Sequence, residues 1–189
     1  MARKPRIEFP GAFYHVLSRG NNRQVIFQDE QDYRAYLKRL EKYRQLYRFT
    51  LYAFVLMPNH FHLLLETGTI SLSKIMQGLQ QSYASYFHHK YKSVGHLFQG
   101  RYKAILCQRD VYLLELVRYI HLNPVRAGLT KNPNDYLWTS HRAFLGLIKQ
   151  PLVEKNLIYA MFSEDKFNAE KRYLEFIRDG ISLGHQSRF

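Results

Sequence analysis

The sequence predicts an α+β domain: a ferredoxin-like antiparallel sheet with helices packed on it, followed by a C-terminal helical extension. Segments with strand periodicity and longer segments with helical periodicity follow one another in the order β-α-β-β-α-β-α. Two of the strands are consecutive and only a turn separates them. This order is compatible with an antiparallel sheet backed by helices, as in ferredoxin-like folds.

The predicted strands are alternating or apolar segments bounded by turn residues. Residues 13–19 alternate as a strand does and run into a Gly-Asn-Asn turn signal. Residues 51–56 form an apolar run rich in strand formers, and residues 57–59 break it as a turn does. Residues 60–66 form the next strand, and residues 95–106 are also expected to be extended.

Three helices are predicted between and after these strands. Residues 29–47 repeat their apolar positions at helical spacing, and the first residue of this segment is an aspartate that can cap the helix. The second helix begins at Ser71 or Ser73. The third covers residues 110–123 and ends at Pro124, because proline disfavours helical geometry in the residue before it.

Charge and length suggest one main domain with an appendage. The 189 residues include 28 Lys and Arg against 15 Asp and Glu, a formal net charge of +13. Residues 1–153 carry all of this net charge, whereas residues 154–189 hold equal numbers of acidic and basic side chains. We therefore expect a main domain over residues 1–150 and a helical extension over residues 151–189.

The same composition indicates which kind of partner the protein binds. A strongly positive field favours polyanions, nucleic acid first. Membrane association is disfavoured, since no long apolar span and no signal-peptide pattern occurs. Cys107 is the single cysteine, which excludes an intrachain disulfide framework and a cysteine-rich zinc site. A reducing cytoplasm fits this cysteine usage.

The most informative motif is a pair of histidines on the predicted strand over residues 60–66. Alternation places His60 and His62 on the same face of the strand. Two imidazoles held in this way can bind one divalent cation, and in so basic a chain that cation would polarise a phosphate. The alternative is that both are structural, hydrogen-bonded histidines. His15 is polar on an otherwise apolar strand, and it supports either such a site or only the fold.

The predicted third helix adds two side chains to this motif. Its apolar stripe should face the sheet, while Tyr119 and Asn123 lie one turn apart on a neighbouring flank. A phenol and an amide at this spacing can point into the same small volume. The alternative is a packed tyrosine ring and an asparagine that merely ends the helix.

Four motifs occur together and in order along the chain: Phe13-Tyr-His-Val-Leu-Ser-Arg-Gly-Asn-Asn22, Met57-Pro-Asn-His60-Phe-His62, Gln99-Gly-Arg101-Tyr-Lys103 and Arg118-Tyr119-Ile-His-Leu-Asn123-Pro-Val-Arg126-Ala-Gly128. Through these motifs the chain resembles the single-tyrosine HUH transposases, within them most closely the REP-associated tyrosine transposases. The resemblance covers roughly residues 5–148.

The resemblance implies an HUH fold, a site and a mechanism. His60 and His62 would hold Mg²⁺ or Mn²⁺, with Asn123 as a third ligand, and Tyr119 would attack the scissile phosphodiester. Attack leaves a 5′-phosphotyrosine and a free 3′-OH, and reversal by another 3′-OH rejoins strands. Glu115 or a water would take the phenol proton.

The resemblance also implies the substrate, which is single-stranded DNA near hairpins formed by repetitive extragenic palindromes. We expect five basic side chains on the DNA backbone: Arg19, Arg23, Arg101, Lys103 and Arg126. A cytoplasmic, nucleoid-associated protein is expected, a monomer rather than a dimer, with no obligate protein partner. Two alternatives remain open: a domesticated hairpin-binding protein without catalysis, and a metal-dependent phosphodiesterase that uses water as the nucleophile.

Overall fold

The computed structural model describes residues 8–108, 111–148 and 152–182. The sheet contains four antiparallel strands in the order β2-β3-β1-β4, with β1 paired to both β3 and β4. The strands are β1 (Phe13–Arg19), β2 (Thr50–Met57), β3 (His60–Glu66) and β4 (Lys103–Cys107). This strand order confirms the predicted α+β class and its ferredoxin-like antiparallel sheet.

Six helices complete the described part of the chain. They are α1 (Glu30–Tyr47), α2 (Leu72–Tyr91), α3 (Val111–Arg126), α4 (His141–Phe144), α5 (Asn156–Ala160) and α6 (Lys166–Ser182). Asp29 caps α1 in a reciprocal capping box with Asp32, as the sequence pattern predicts. Of the two serines proposed to begin α2, Ser71 is the cap, because its side chain accepts a hydrogen bond from the Lys74 N–H.

The two faces of the sheet bury different elements. Helices α1 and α2 cover the face that carries Phe61, and the rings of Tyr36 and Phe61 lie 4.9 Å apart there. Helix α3 packs on the opposite face, against β2 and β3. Because side chains alternate along β3, the face under α3 is the one that carries His60 and His62.

Two predicted elements differ from the structure. Helix α3 continues through Pro124 to Arg126. The proline lacks the N–H that would donate to the Ile120 carbonyl, yet the helix continues past it, and the Ala127 N–H donates to the Asn123 carbonyl at 2.9 Å. The start predicted for this helix, Asp110, lies outside the described residues.

The segment over residues 95–106 is extended only at its end, where β4 begins. Gly95 and Gly100 have φ angles of 92° and 64°, which a continuous strand does not accommodate. Before β4 the loop meets the end of β1 at an isolated bridge between Gly20 and Phe98, and the Gln99 N–H donates to the Arg19 carbonyl at 2.9 Å. The loop therefore crosses the end of β1 instead of extending β4 backwards.

The C-terminal helices pack on the same core as the sheet. Gly180 lies so close to α3 that a Cβ there would sit 2.6 Å from the Arg118 side chain. Tyr173 is fully buried, and its hydroxyl hydrogen-bonds to His121 at 2.9 Å and to His141 at 2.5 Å. The division of the chain at residue 150 stays a prediction. No described helix is long and apolar enough to cross a membrane.

Replacing Tyr36 with Phe should leave the free energy of unfolding unchanged or raise it by about 1 kcal/mol. The Tyr36 hydroxyl is buried with no hydrogen-bond partner among the described residues. Tyr83→Phe is the matched control, since the Tyr83 hydroxyl donates to the buried Ile26 carbonyl at 2.5 Å. The free energy of unfolding of Tyr83→Phe should fall by about 1–2 kcal/mol. Urea unfolding followed by circular dichroism measures the free energy of unfolding of both variants. Equal losses in the two variants would contradict the conclusion that the Tyr36 hydroxyl has no partner.

Acid should destabilise the fold through the buried imidazole of His141. Burial lowers the pKa of His141 to about 4 in the folded protein, whereas an unfolded histidine titrates near ~6.5. The unfolded chain therefore binds the proton first, and stability falls as the pH drops from ~6.5 towards ~4. We expect His141 to account for a loss of about 2 kcal/mol in the free energy of unfolding between pH 7.5 and pH 5.

Urea unfolding at these two pH values measures that loss. His141→Phe should be less stable at pH 7.5, because Tyr173 and Asn134 lose their hydrogen bonds to the imidazole, yet its pH dependence should be shallower. Substitution of the exposed His89 by Phe is the control and should keep the wild-type dependence. An unchanged pH dependence in His141→Phe would refute the assignment.

Candidate active site

Strand β3 places the two histidines of the His-x-His motif side by side. The ring centroids of His60 and His62 lie 5.2 Å apart with an interplanar angle of 83°. His62 is buried and His60 is half-buried at the start of the strand. Both project from the face covered by α3, as strand alternation predicts.

Helix α3 brings the other two predicted side chains to the same place. The Tyr119 ring meets the His62 ring edge-on, with centroids 5.4 Å apart. One turn later Asn123 is buried, and its side chain lies beside the His60 imidazole. Four residues selected from the sequence are therefore gathered between one strand and one helix.

His15 is a further member of this group to which sequence reasoning assigned no definite role. Its Nε2 lies 2.9 Å from His62 Nδ1, and the two rings stack with centroids 5.1 Å apart. Its ring also meets the edge of Tyr119, with centroids 5.9 Å apart. The available signal was a polar residue on an apolar strand, which does not distinguish a site residue from a structural one.

Burial keeps these imidazoles neutral. It lowers the pKa of His15 to about 4 and lowers that of His62 well below its usual range. Burial also lowers the pKa of His60, an effect that the Asn123 amide oxygen, as an acceptor for the imidazolium N–H, partly opposes and the nearby Arg19 reinforces. Neutral imidazoles have a free nitrogen lone pair, as metal coordination requires.

The residues present fit a divalent cation. The donors are two neutral imidazoles with an amide beside them, and a second residue contacts each imidazole at Nδ1. No group of three or more His, Cys, Asp or Glu side chains suited to a metal occurs among the described residues. A hard cation held by His60, His62 and Asn123 would therefore complete its coordination with other oxygens, such as those of water or phosphate.

Charged side chains flank Tyr119 on α3. The Arg126 guanidinium lies over the Tyr119 ring, 5.3 Å from its centroid. Glu115 forms an ion pair with Arg118 at 2.5 Å, and the Arg118 guanidinium lies over Phe176 of α6. The carboxylate of Glu115 is therefore engaged by a cation on its own helix.

Three of the predicted DNA-contacting side chains line one cleft of about 390 Å³ between the ends of β1 and β4. They are Arg19, Arg101 and Lys103, and with Gln99 they define what we call the basic cleft. Arg19 is the cross-strand partner of His60, so the basic cleft lies beside the histidine pair.

The other two predicted contacts lie elsewhere. Arg126 sits over Tyr119, as described above. Arg23 is exposed in a short 3₁₀ turn and does not line the basic cleft. Its carbonyl accepts a hydrogen bond from the Asn59 side chain at 3.3 Å, which places Arg23 near the β2–β3 turn.

Comparison with known families assigns the chain. Residues 9–123 match the family described as IS200-like transposases. The chain belongs to this family. The match runs from just before β1 to Asn123 and so includes both histidines and Tyr119. It confirms the resemblance to transposases predicted from the motifs, and membership makes the protein a transposase, a DNA-processing enzyme.

One solved structure shows the same fold, and a second is more distantly similar. A REP-associated tyrosine transposase bound to a REP hairpin superposes with a TM-score of 0.65 at 17% sequence identity, covering 82% of this chain and 98% of that one. A putative transposase from Deinococcus radiodurans R1 superposes with a TM-score of 0.45 at 20% identity, covering 63% of this chain and 95% of that one. No match was found among curated protein sequences.

Proposed function

We propose that this IS200-like transposase nicks and rejoins single-stranded DNA at palindromic, REP-type hairpins through a covalent bond to Tyr119. The observation that supports this proposal is the contact between α3 and β3, in which the Tyr119 ring lies against His62 while the Asn123 side chain lies beside His60. A nucleophile and a candidate metal-binding group are thereby held in one place.

In the proposed reaction the Tyr119 phenol oxygen attacks the scissile phosphorus. The bond from phosphorus to the 3′ oxygen breaks, and that oxygen takes up one proton as the phenol loses one. The products are a 5′-phosphotyrosine and a 3′-OH, and the reverse reaction with another 3′-OH joins two strands. No external energy source is needed, because one phosphoester bond replaces another.

The surrounding residues have distinct parts in this proposal. His60, His62 and Asn123 would hold Mg²⁺ or Mn²⁺, and the bound ion supplies Lewis-acid polarisation of the phosphate. The positive charge of Arg126, next to the Tyr119 ring, favours the phenolate that develops during attack. Because Glu115 is paired with Arg118, a water is the better candidate to accept the phenol proton.

The DNA surface is proposed from charge and position. The basic cleft opens beside His60, so a strand whose phosphates contact Arg19, Arg101 and Lys103 passes close to the candidate site. The structural relative is bound to a REP hairpin, which supports a hairpin substrate here. We also propose a monomer as the active form, as the resemblance to REP-associated transposases implies.

Tyr119→Phe should abolish the covalent protein–DNA adduct and reduce strand cleavage by at least ~1,000-fold. The assay uses an end-labelled single-stranded oligonucleotide carrying a palindromic hairpin from the gene's own flanks, with Mn²⁺, on a denaturing gel. Tyr112→Phe is the matched control, because Tyr112 is an exposed tyrosine of the same helix, and it should behave as wild type.

Other outcomes would select the alternatives. Equal cleavage by wild type and Tyr119→Phe would identify water as the nucleophile and make the protein a phosphodiesterase. Tight, hairpin-specific binding without cleavage, across both metals and several hairpins, would identify a domesticated binding protein.

Neutralising the basic cleft should weaken DNA binding and flatten its dependence on salt. The double variant Arg101→Gln, Lys103→Gln should reduce the slope of log K against log salt by about 0.7 to 0.9 for each charge that contacts a phosphate. The control removes the same charge from α6, as Lys166→Gln, Lys171→Gln, at two exposed positions outside the basic cleft. Fluorescence anisotropy over a salt series measures the slopes. Equal slopes in the two double variants would show that the basic cleft does not contact the DNA.

A further inference from the structure

Each site histidine has a hydrogen-bond partner from outside the predicted ligand set. His60 Nδ1 lies 2.7 Å from the Asn59 Oδ1, and His62 Nδ1 lies 2.9 Å from His15 Nε2. A neutral imidazole carries one N–H, so a partner that binds one ring nitrogen decides which nitrogen keeps a lone pair. These two contacts therefore bear on whether His60 and His62 can act as ligands.

The Asn59 side chain determines the tautomer of His60. Its Nδ2 donates to the Arg23 carbonyl at 3.3 Å, which orients the amide and leaves Oδ1 facing His60. An amide oxygen only accepts hydrogen bonds, so His60 Nδ1 must carry the proton. His60 Nε2 is then unprotonated.

The bond between His15 and His62 holds a single proton and has two arrangements. If His15 Nε2 donates, His62 carries its proton on Nε2 and that atom cannot bind a cation. If His62 Nδ1 donates, His62 Nε2 keeps its lone pair. Only the second arrangement makes His62 equivalent to His60 as a ligand.

The fold gives no separate reason for an imidazole at position 15. His15 is buried on a strand between apolar neighbours, and its Nδ1 has no hydrogen-bond partner among the described residues. An apolar side chain would leave no such nitrogen unsatisfied, and a buried polar atom without a partner is costly. What the imidazole provides instead is a hydrogen-bond partner for His62.

We propose that His15 and Asn59 are positioning residues that accept the Nδ1 protons of His62 and His60, so that both Nε2 atoms are free for one divalent cation. The inference rests on the proposed metal-dependent function and extends it to residues outside the predicted ligand set. His15 acts from the neighbouring strand β1, and Asn59 acts from the β2–β3 turn.

The tautomers can be read directly in the metal-free protein. Long-range ¹H–¹⁵N correlation spectra of ¹⁵N-histidine-labelled protein distinguish the protonated from the unprotonated ring nitrogen. We expect protonated Nδ1 and unprotonated Nε2 in both His60 and His62, assigned with the His60→Ala and His62→Ala variants. A protonated Nε2 on His62 in the wild type would overturn the role given to His15.

Mn²⁺ affinity, measured by electron paramagnetic resonance, provides the second test. His15→Phe removes the acceptor and should weaken Mn²⁺ binding about 10–100-fold, whereas His15→Gln keeps an acceptor and should stay within about 3-fold of wild type. Asn59→Ala should weaken binding by a similar factor, with Asn59→Asp as its conservative partner. His62→Ala is the reference variant, because it removes one metal ligand completely. Thermal unfolding shows that each variant is folded.

The outcomes separate this inference from the proposed function. Wild-type Mn²⁺ affinity in a folded His15→Phe would overturn the positioning role while leaving the metal site intact. Absence of Mn²⁺ binding by the wild type would instead overturn the metal-dependent function, and with it the reason for the positioning. If His15→Phe does not fold, the tautomer of His62 in the wild type still decides the question.

Discussion

The packing of α3 on the sheet is the contact on which the site depends. Strand β3 supplies two histidines and α3 supplies the tyrosine and asparagine, so neither element contains the site alone. The apolar stripe of α3 buries Leu113, Leu116, Val117 and Ile120, and this burial sets the helix at a fixed rotation and height above the strand. Tyr119 and Asn123 then follow from helical geometry, since they lie next to that stripe.

The C-terminal helix α6 holds α3 from the side away from the sheet. Tyr173 binds His121, which lies between Tyr119 and Asn123 in sequence but on the opposite flank of α3. Ser140 hydrogen-bonds to His121 at 2.7 Å and to the β2 backbone at Phe54, which ties the same helix to the sheet edge. The catalytic helix of the proposed mechanism is thus clamped between two layers, and part of its rigidity comes from residues beyond the family match, which ends at Asn123.

Much of the fold and the composition of the site were predictable from local signals. Strand alternation placed His60 and His62 on one face, and a capping aspartate located the start of α1, because both signals act within a few residues.

The course of residues 95–102 was not predictable, since apolar residues in that loop pack without extending a strand. The role of His15 depends on its distance from His62, 47 positions later in the chain, and no periodic pattern reports such a contact. The continuation of α3 past Pro124 shows the limit of a local rule, because backbone hydrogen bonds after the proline, such as that from Ala127 to Asn123, extend the helix.

Later segments of the chain cover one edge of the sheet, the strand β2. Along β2, the Leu56 N–H donates to the Trp138 carbonyl at 2.8 Å, and the Phe54 and Leu51 carbonyls accept from Ser140 at 3.0 Å and from Glu154 at 2.8 Å. Backbone groups that an unprotected edge strand would offer to another polypeptide are therefore already occupied within the molecule. Lateral growth of the sheet into a filament is blocked at β2, and the opposite edge is the five-residue strand β4, which begins with the exposed Lys103. Strand β4 also exposes Ile105 and Leu106, so the protection against edge-to-edge aggregation comes from the covered β2 edge and from the short length of β4.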